Sequence, residues 1–196
     1  VSGQPKTGPM VGRVRIANLA NTLTLLRLVL VPIFLLALFA GDGHQSAFRV
    51  LAFVIFAVAA ITDRLDGLLA RNYGMATEFG AFVDPIADKT LIGSALIGLS
   101  MLGSVPWWVT VVIMTRELGV TLLRLAVIRR GVIPASWGGK VKTVVQSVAI
   151  GLFILPLSGP LRVTAAVVMG AAIVLTIVTG IDYVVSTVRE VRRTTD

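Results

Sequence analysis

Four aspartates, Asp63, Asp66, Asp84 and Asp88, fall within twenty-six residues of a chain that is 56% hydrophobic and only 14% charged. A carboxylate near lipid is costly, so an intramembrane acid faces a polar cavity, a partner charge or a metal. They are four of the chain's ten acidic residues, and they lie in the segment ITDRLDGLLARNYGMATEFGAFVDPIADKT. Helical spacing lets them converge. At about 3.6 residues per turn, positions 63, 66, 67 and 70 share a face of one helix, and positions 80, 84 and 88 share a face of the next. Two carboxylates from each helix then oppose one another across a short loop. Such acids repel, and Asp63 and Asp66 also lie toward the unfavourable C-terminal end of their helix. Divalent cations would offset both penalties. All-oxygen donors favour Mg²⁺ or Mn²⁺ over Zn²⁺, and Mg²⁺ commonly combines carboxylates with substrate phosphates. Gly67, Ala70 and Gly80 lack bulk on the shared face, so a ligand can approach the backbone. Arg71 follows, where its guanidinium can hold a phosphate. The structural alternative is a buried ion-pair network with Arg64, Arg71 and Lys89.

The elements that must carry these residues are membrane helices. A mean hydropathy of +0.90 is far above that of ordinary soluble domains, and predicts an all-α integral membrane protein. The chain has no cysteine, which excludes disulfides, thiolate metal sites and a cysteine nucleophile. Crossing the hydrocarbon core takes ~20 mostly apolar residues. Six segments come near this: about 18–40, 46–70, 81–103, 105–129, 140–157 and 162–187. Between them stand GDGH at 41–44, NYGMATEFG at 72–80, GSVP at 103–106, RRGVIPASWGG at 129–139 and PLSGP at 156–160, all with turn chemistry. Residues 1–15 are expected to be a mobile or interfacial lead-in without the marks of a secretory signal. Residues 16–190 are expected to form one six-helix catalytic domain, and 191–196 a cytoplasmic tail.

Net charge is +8. The basic residues flank apolar spans, so orientation and anionic headgroups explain them, and nucleic acid is not an expected partner. Lys6, Arg13, Arg15, Arg71, Arg129, Arg130, Lys140, Lys142, Arg189, Arg192 and Arg193 fall on one side of a six-span arrangement. Only Arg49 and Arg162 fall on the other. The positive-inside rule makes the crowded side cytoplasmic, with both termini and the aspartates there. The expected location is the cell membrane, crossed several times.

Written from Asp63, the segment is D-x2-D-G-x2-A-R-x8-G-x3-D-x3-D, with all eight fixed positions filled. It resembles the signature of the CDP-alcohol phosphotransferases, integral membrane enzymes of phospholipid synthesis. The resemblance implies that family's six-helix fold, a homodimer, and a two-metal site open to the cytoplasm. It also implies a reaction in which an acceptor hydroxyl attacks the β-phosphorus of a CDP-linked lipid or alcohol and releases CMP. Carried onto this chain, Asp63, Asp66, Asp84 and Asp88 would be metal ligands, with Asp88 also the general base. Asp66, Gly67, Arg71, Thr77 and Gly80 would line the CDP-diacylglycerol pocket.

NLANTLTLLR at 18–27, DPIADK at 84–89, TRELGVTLLR at 115–124 and SWGGKVKT at 136–143 resemble the phosphatidylglycerophosphate synthase branch. That branch implies sn-glycerol 3-phosphate as acceptor. A dianionic acceptor needs cations, and Arg116, Arg124, Lys140 and Lys142 are the candidates. Lys140 and Lys142 have a second reading as interfacial anchors, and Arg116 as a partner of Glu117. Asn21 and Thr24, in an Asn-x-x-Thr element like the family's near the nucleotide, either bond the CDP group or cap the helix entrance. Arg27 would support the same pocket. His44, the single histidine, falls in the external GDGH loop, away from any catalytic role. Trp107 and Trp108 suit an interfacial belt. Two other functions stay open: the same chemistry with another acceptor such as inositol phosphate, and an aspartate-lined cation transporter. No internal repeat of the transporter kind is visible.

Overall fold

The computed structural model describes the backbone of residues 10–73, 78–127 and 137–193, and the side chains of 25–62, 89–123, 138–139 and 141–189. Every apolar segment is helical: α1 (Met10–Phe39), α2 (Ser46–Tyr73), α3 (Glu78–Met101), α4 (Trp107–Val127), α5 (Trp137–Ile154) and α6 (Pro160–Arg193). No strand occurs among the described residues. The turn chemistry falls where the helices stop. Between α1 and α2 the chain reverses through left-handed backbone at Gly41, Asp42 and Gly43, with φ of 58°, 56° and 69°. Glycine takes such angles without a Cβ penalty, and Asp is among the few other residues that tolerate them. At α6, Pro160 occupies the first helical position, where its missing N–H costs nothing.

The helices form a bundle in which α1 packs on α2 and α3, and α6 on α5 and α4. Helices α2 and α3 in turn touch α5. Its centre is apolar: Phe34 and Leu38 of α1, Phe56 of α2, Leu96 and Leu99 of α3, Ile113 of α4 and Ile150 and Ile154 of α5 are essentially inaccessible. The Phe34 and Phe56 rings meet at 5.9 Å with a tilt of 48°. The outside is apolar too. Leu36 is 74% exposed, Val167 66% and Leu122 65%. Soluble proteins rarely leave so continuous an apolar surface in water. Among the described residues, Leu25–Gly43 and Pro160–Arg189 are long and apolar enough to cross a membrane; Ser46–Thr62, Lys89–Met101 and Val141–Ile154 are shorter apolar stretches.

One end of the bundle is tied by two arginines. Arg49, near the start of α2, is 5% exposed. Its Nε donates to the carbonyl of Ile154 and its Nη2 to that of Phe153, each at 2.7 Å. Those are the final carbonyls of α5, which have no partner within their own helix and attract a cation through the helix dipole. Arg49 Nη1 also reaches the Gly43 carbonyl at 3.4 Å. Arg162, near the start of α6, donates to the Ser104 carbonyl at 3.2 Å and lies 4.9 Å above the Phe153 ring. The starts of α2 and α6, the end of α5 and the α3–α4 turn therefore share one end, and the helices alternate in direction.

Candidate active site

The aspartates belong to the opposite half of the bundle. Helix α2 runs unbroken past positions 63 and 66, and α3 is already helical at 84 and 88. The two helices touch. Separations of three and four residues on regular helix put each pair on one face. The side chains of Asp63, Asp66, Asp84 and Asp88 lie outside the described residues. The same holds for Asn21 and Thr24 on α1, Arg71 on α2, Arg124 on α4 and Lys140 on α5. Gly67 and Gly80 stand on helical backbone in α2 and α3, and their surroundings are likewise outside the description. Thr77 falls entirely outside it. Four aspartates in a segment without histidine or cysteine would offer hard oxygen donors, which suit Mg²⁺ or Mn²⁺.

The described side chains of the same half hold a cation cluster. Lys89, the residue after Asp88 on α3, places Nζ 3.3 Å from Glu117 Oε2 on α4. Arg116 Nη1 lies 3.3 Å from Glu117 Oε1, and Lys142 Nζ of α5 bonds that same oxygen. Among the described residues, three cations thus surround one carboxylate, two positive charges more than it answers. Burial makes that excess costly. The side chains are 19% exposed at Lys89, 16% at Arg116, 13% at Glu117 and 4% at Lys142. Low-dielectric surroundings raise the cost of each unneutralised charge, and a bound anion would relieve it.

Local sequence explains the arrangement. On α5, Lys142 and Gln146 are one turn apart and face the same way. Thr143 and Ser147 turn their hydroxyls back to the carbonyls of Gly139 and Thr143, at 3.0 and 2.9 Å, so the helix satisfies them itself. On α4, Arg116 is drawn toward α6, where Nη2 donates to Thr179 Oγ1 at 2.9 Å. Gly180 makes room for it: a Cβ there would lie 3.0 Å from Arg116 Cγ. Lys89, Glu117, Lys142, Thr143 and Gln146 line a pocket between α3, α4 and α5. Ile92 and Met114 form its apolar wall.

Of the expected acceptor residues, Arg116 and Lys142 come together on Glu117, and Lys142 alone of the two lines the pocket. Arg27 of α1 is 1% exposed, inside the bundle. His44 is an exposed loop residue whose Nδ1 lies 2.6 Å from the Asp42 carbonyl oxygen. Trp107 and Trp108 open α4 and are 53% and 59% exposed. Sequence reasoning missed Glu117 as the shared partner of Lys89 and Lys142, and it missed Gln146. For Gln146 a signal was present: a polar residue four positions after Lys142 inside an apolar helix.

Comparison with known proteins places the chain in a family. Residues 17–178 match the family described as CDP-alcohol phosphatidyltransferase. The chain is 78% identical over 191 residues to a probable phosphatidylglycerophosphate synthase of Mycobacterium tuberculosis, covering 97% of this chain and 91% of the relative. It is 35% identical to a CDP-diacylglycerol–glycerol-3-phosphate 3-phosphatidyltransferase of Bacillus subtilis, over 85% of this chain and 93% of that one. An Escherichia coli protein of the same description is 41% identical over 68% of this chain and 74% of its own length.

Proposed function

The chain belongs to the CDP-alcohol phosphatidyltransferase family, and from that premise we propose that it transfers the phosphatidyl group of CDP-diacylglycerol to sn-glycerol 3-phosphate, giving phosphatidylglycerophosphate and CMP. It is a transferase of phospholipid synthesis. The observation that carries the acceptor choice is the gathering of Lys89, Arg116 and Lys142 on Glu117, with Lys89 the residue that follows Asp88 in α3. A dianionic phosphate suits those cations. Lys142 and Lys89 would hold it from the pocket side and Arg116 from the α6 side, with Arg124 and Lys140 as further candidates.

Asp63, Asp66, Asp84 and Asp88 would hold two divalent cations, Mg²⁺ or Mn²⁺. Bound there, the cations neutralise the diphosphate and stabilise charge developing on the departing CMP. The chain's own residues do the rest. Asp66, Gly67, Arg71, Thr77 and Gly80 seat the nucleotide diphosphate against α2 and α3, with Asn21 and Thr24 of α1 beside it. Asp88 accepts the proton of the acceptor hydroxyl as its oxygen attacks the β-phosphorus. The P–O bond to CMP breaks as the new phosphodiester forms. Lys89, one residue on, ties the aspartate helix to the acceptor cluster.

The protein crosses the cell membrane with all six helices, both termini and the site facing the cytoplasm. Outward apolar side chains and the one-sided distribution of Lys and Arg support this. The absence of cysteine makes the topology easy to test. A membrane-impermeant thiol reagent should label a cysteine at His44 from outside in intact cells and leave one at Arg130 unlabelled; the reverse pattern contradicts the orientation. A homodimer belongs to the same proposal, with Gly170 and Ala171 on the outward face of α6 permitting close approach.

The acceptor is tested by supplying purified protein with CDP-diacylglycerol, Mg²⁺ and one acceptor at a time, and measuring CMP. Glycerol 3-phosphate is expected to be used. Release with inositol phosphate and none with glycerol 3-phosphate would move the protein to another branch, and cation flux without CMP would make it a transporter.

A further inference from the structure

Gln146 sits in the acceptor pocket with a demand that no described residue meets. It is 2% exposed, and its Oε1 has no hydrogen-bond partner among the described residues. A buried acceptor left without a donor is destabilising, so such atoms point to a ligand, a water or a function. Its neighbours narrow the choice. Lys89, Glu117 and Lys142 line the same pocket, and the two lysines are already engaged with Glu117. Glu117 is an acceptor itself, so it cannot serve Oε1. A donor arriving from outside, as an O–H or N–H carried by whatever the cations attract, would meet the demand.

We infer that Gln146 determines acceptor specificity: its Oε1 accepts a hydrogen bond from the secondary hydroxyl of glycerol 3-phosphate, while Lys142 and Lys89 face the phosphate. This rests on the function proposed above and adds a residue to it. Glycerol 3-phosphate carries two hydroxyls. The primary one attacks and gives its proton to Asp88, which leaves the secondary one as the free donor. Four residues, about 6 Å of rise, separate Lys142 from Gln146 on the same face of α5. That is the scale of a three-carbon phosphate ester. Ile92 and Met114 wall the pocket with apolar groups, where an unanswered Oε1 is costly. A site built to bond a substrate hydroxyl strongly rejects an analogue that lacks it, because its polar group is then left bare.

The probe is 3-hydroxypropyl phosphate, which keeps the phosphate and the primary hydroxyl and lacks the secondary one. With CDP-diacylglycerol and Mg²⁺, the unmodified enzyme should favour glycerol 3-phosphate in kcat/KM by about ten- to a hundredfold. In Gln146→Met, similar in size and without the amide, the preference should shrink to within about threefold. The loss should fall on glycerol 3-phosphate, with the KM for CDP-diacylglycerol unchanged. Because the preference is a ratio within one preparation, partial loss of folded enzyme cancels. Gln146→Ala gives the same readout if the methionine variant does not fold. A variant that keeps the full preference overturns the inference, and so does an unmodified enzyme that uses both acceptors equally. An unmodified enzyme that makes no CMP from glycerol 3-phosphate, yet does so from another acceptor, defeats the broader function instead.

Discussion

At one end of the bundle Arg49 directs its guanidinium to the carbonyls of Phe153 and Ile154, and Arg162 lies over the Phe153 ring. At the other end Lys89, Arg116 and Lys142 converge on Glu117. Both ends bring cations to an apolar bundle, and apart from the exposed Arg162 these are partly or wholly buried. They differ in what answers the charge. Arg49 meets helix-end carbonyls that need donors, so the interaction completes the fold. Among the described side chains the three inner cations share a single carboxylate, which by itself leaves them under-neutralised. A charge satisfied by backbone is architecture; a charge in excess is prepared for a ligand.

Substitutions can separate the two ends. The largest effect should come from Asp88→Asn, which removes the proton acceptor and should lower CMP formation by about a hundred- to ten-thousandfold. Filter binding of labelled CDP-diacylglycerol should persist in part; normal turnover would remove Asp88 from the base role. Next in size is Glu117→Gln. It strips three cations of their shared partner and should cost ~3–5 kcal/mol of stability, as breaking a buried ion pair does, visible as a lower Tm in detergent. An unchanged Tm would mean that the inner cations do not depend on Glu117. Arg49→Met should cost ~2–3 kcal/mol through lost charged hydrogen bonds to carbonyls, with kcat/KM per folded molecule unaltered. Arg162→Ala, at an exposed site, should cost only ~0.5–1 kcal/mol. If it destabilises as much as Arg49→Met, the difference in burial between the two arginines is not what ranks them.

Much of this was legible from the sequence. The six helices followed from apolar length, and their ends from GDGH, GSVP and PLSGP, because glycine and proline act locally. The helical placement of Asp63, Asp66, Asp84 and Asp88 was legible for the same reason: three- and four-residue spacing on a helix is a local property. Partners distant in sequence were not. Glu117 meets Lys89 and Lys142 across 28 and 25 positions, and Arg49 finds its carbonyls 105 and 104 positions away. Spacing within one helix carries no trace of such meetings. The positive-inside count treated Arg49 and Arg162 as the sparse minority of the outer side, and only the packing of α5 and α6 against them shows what they do. Gln146 was half legible, since its face was readable from Lys142 while its empty oxygen was not.

The central contrast is tested most directly by measuring the KM for glycerol 3-phosphate in Lys142→Met and Arg49→Met side by side, at saturating CDP-diacylglycerol. Removing a charged partner of a buried phosphate should raise the acceptor KM about tenfold or more in Lys142→Met. Arg49→Met should stay within about twofold of the unmodified enzyme. An acceptor KM unmoved by Lys142→Met, or raised as much by Arg49→Met, would contradict the division of the bundle into an architectural end and a ligand-binding end.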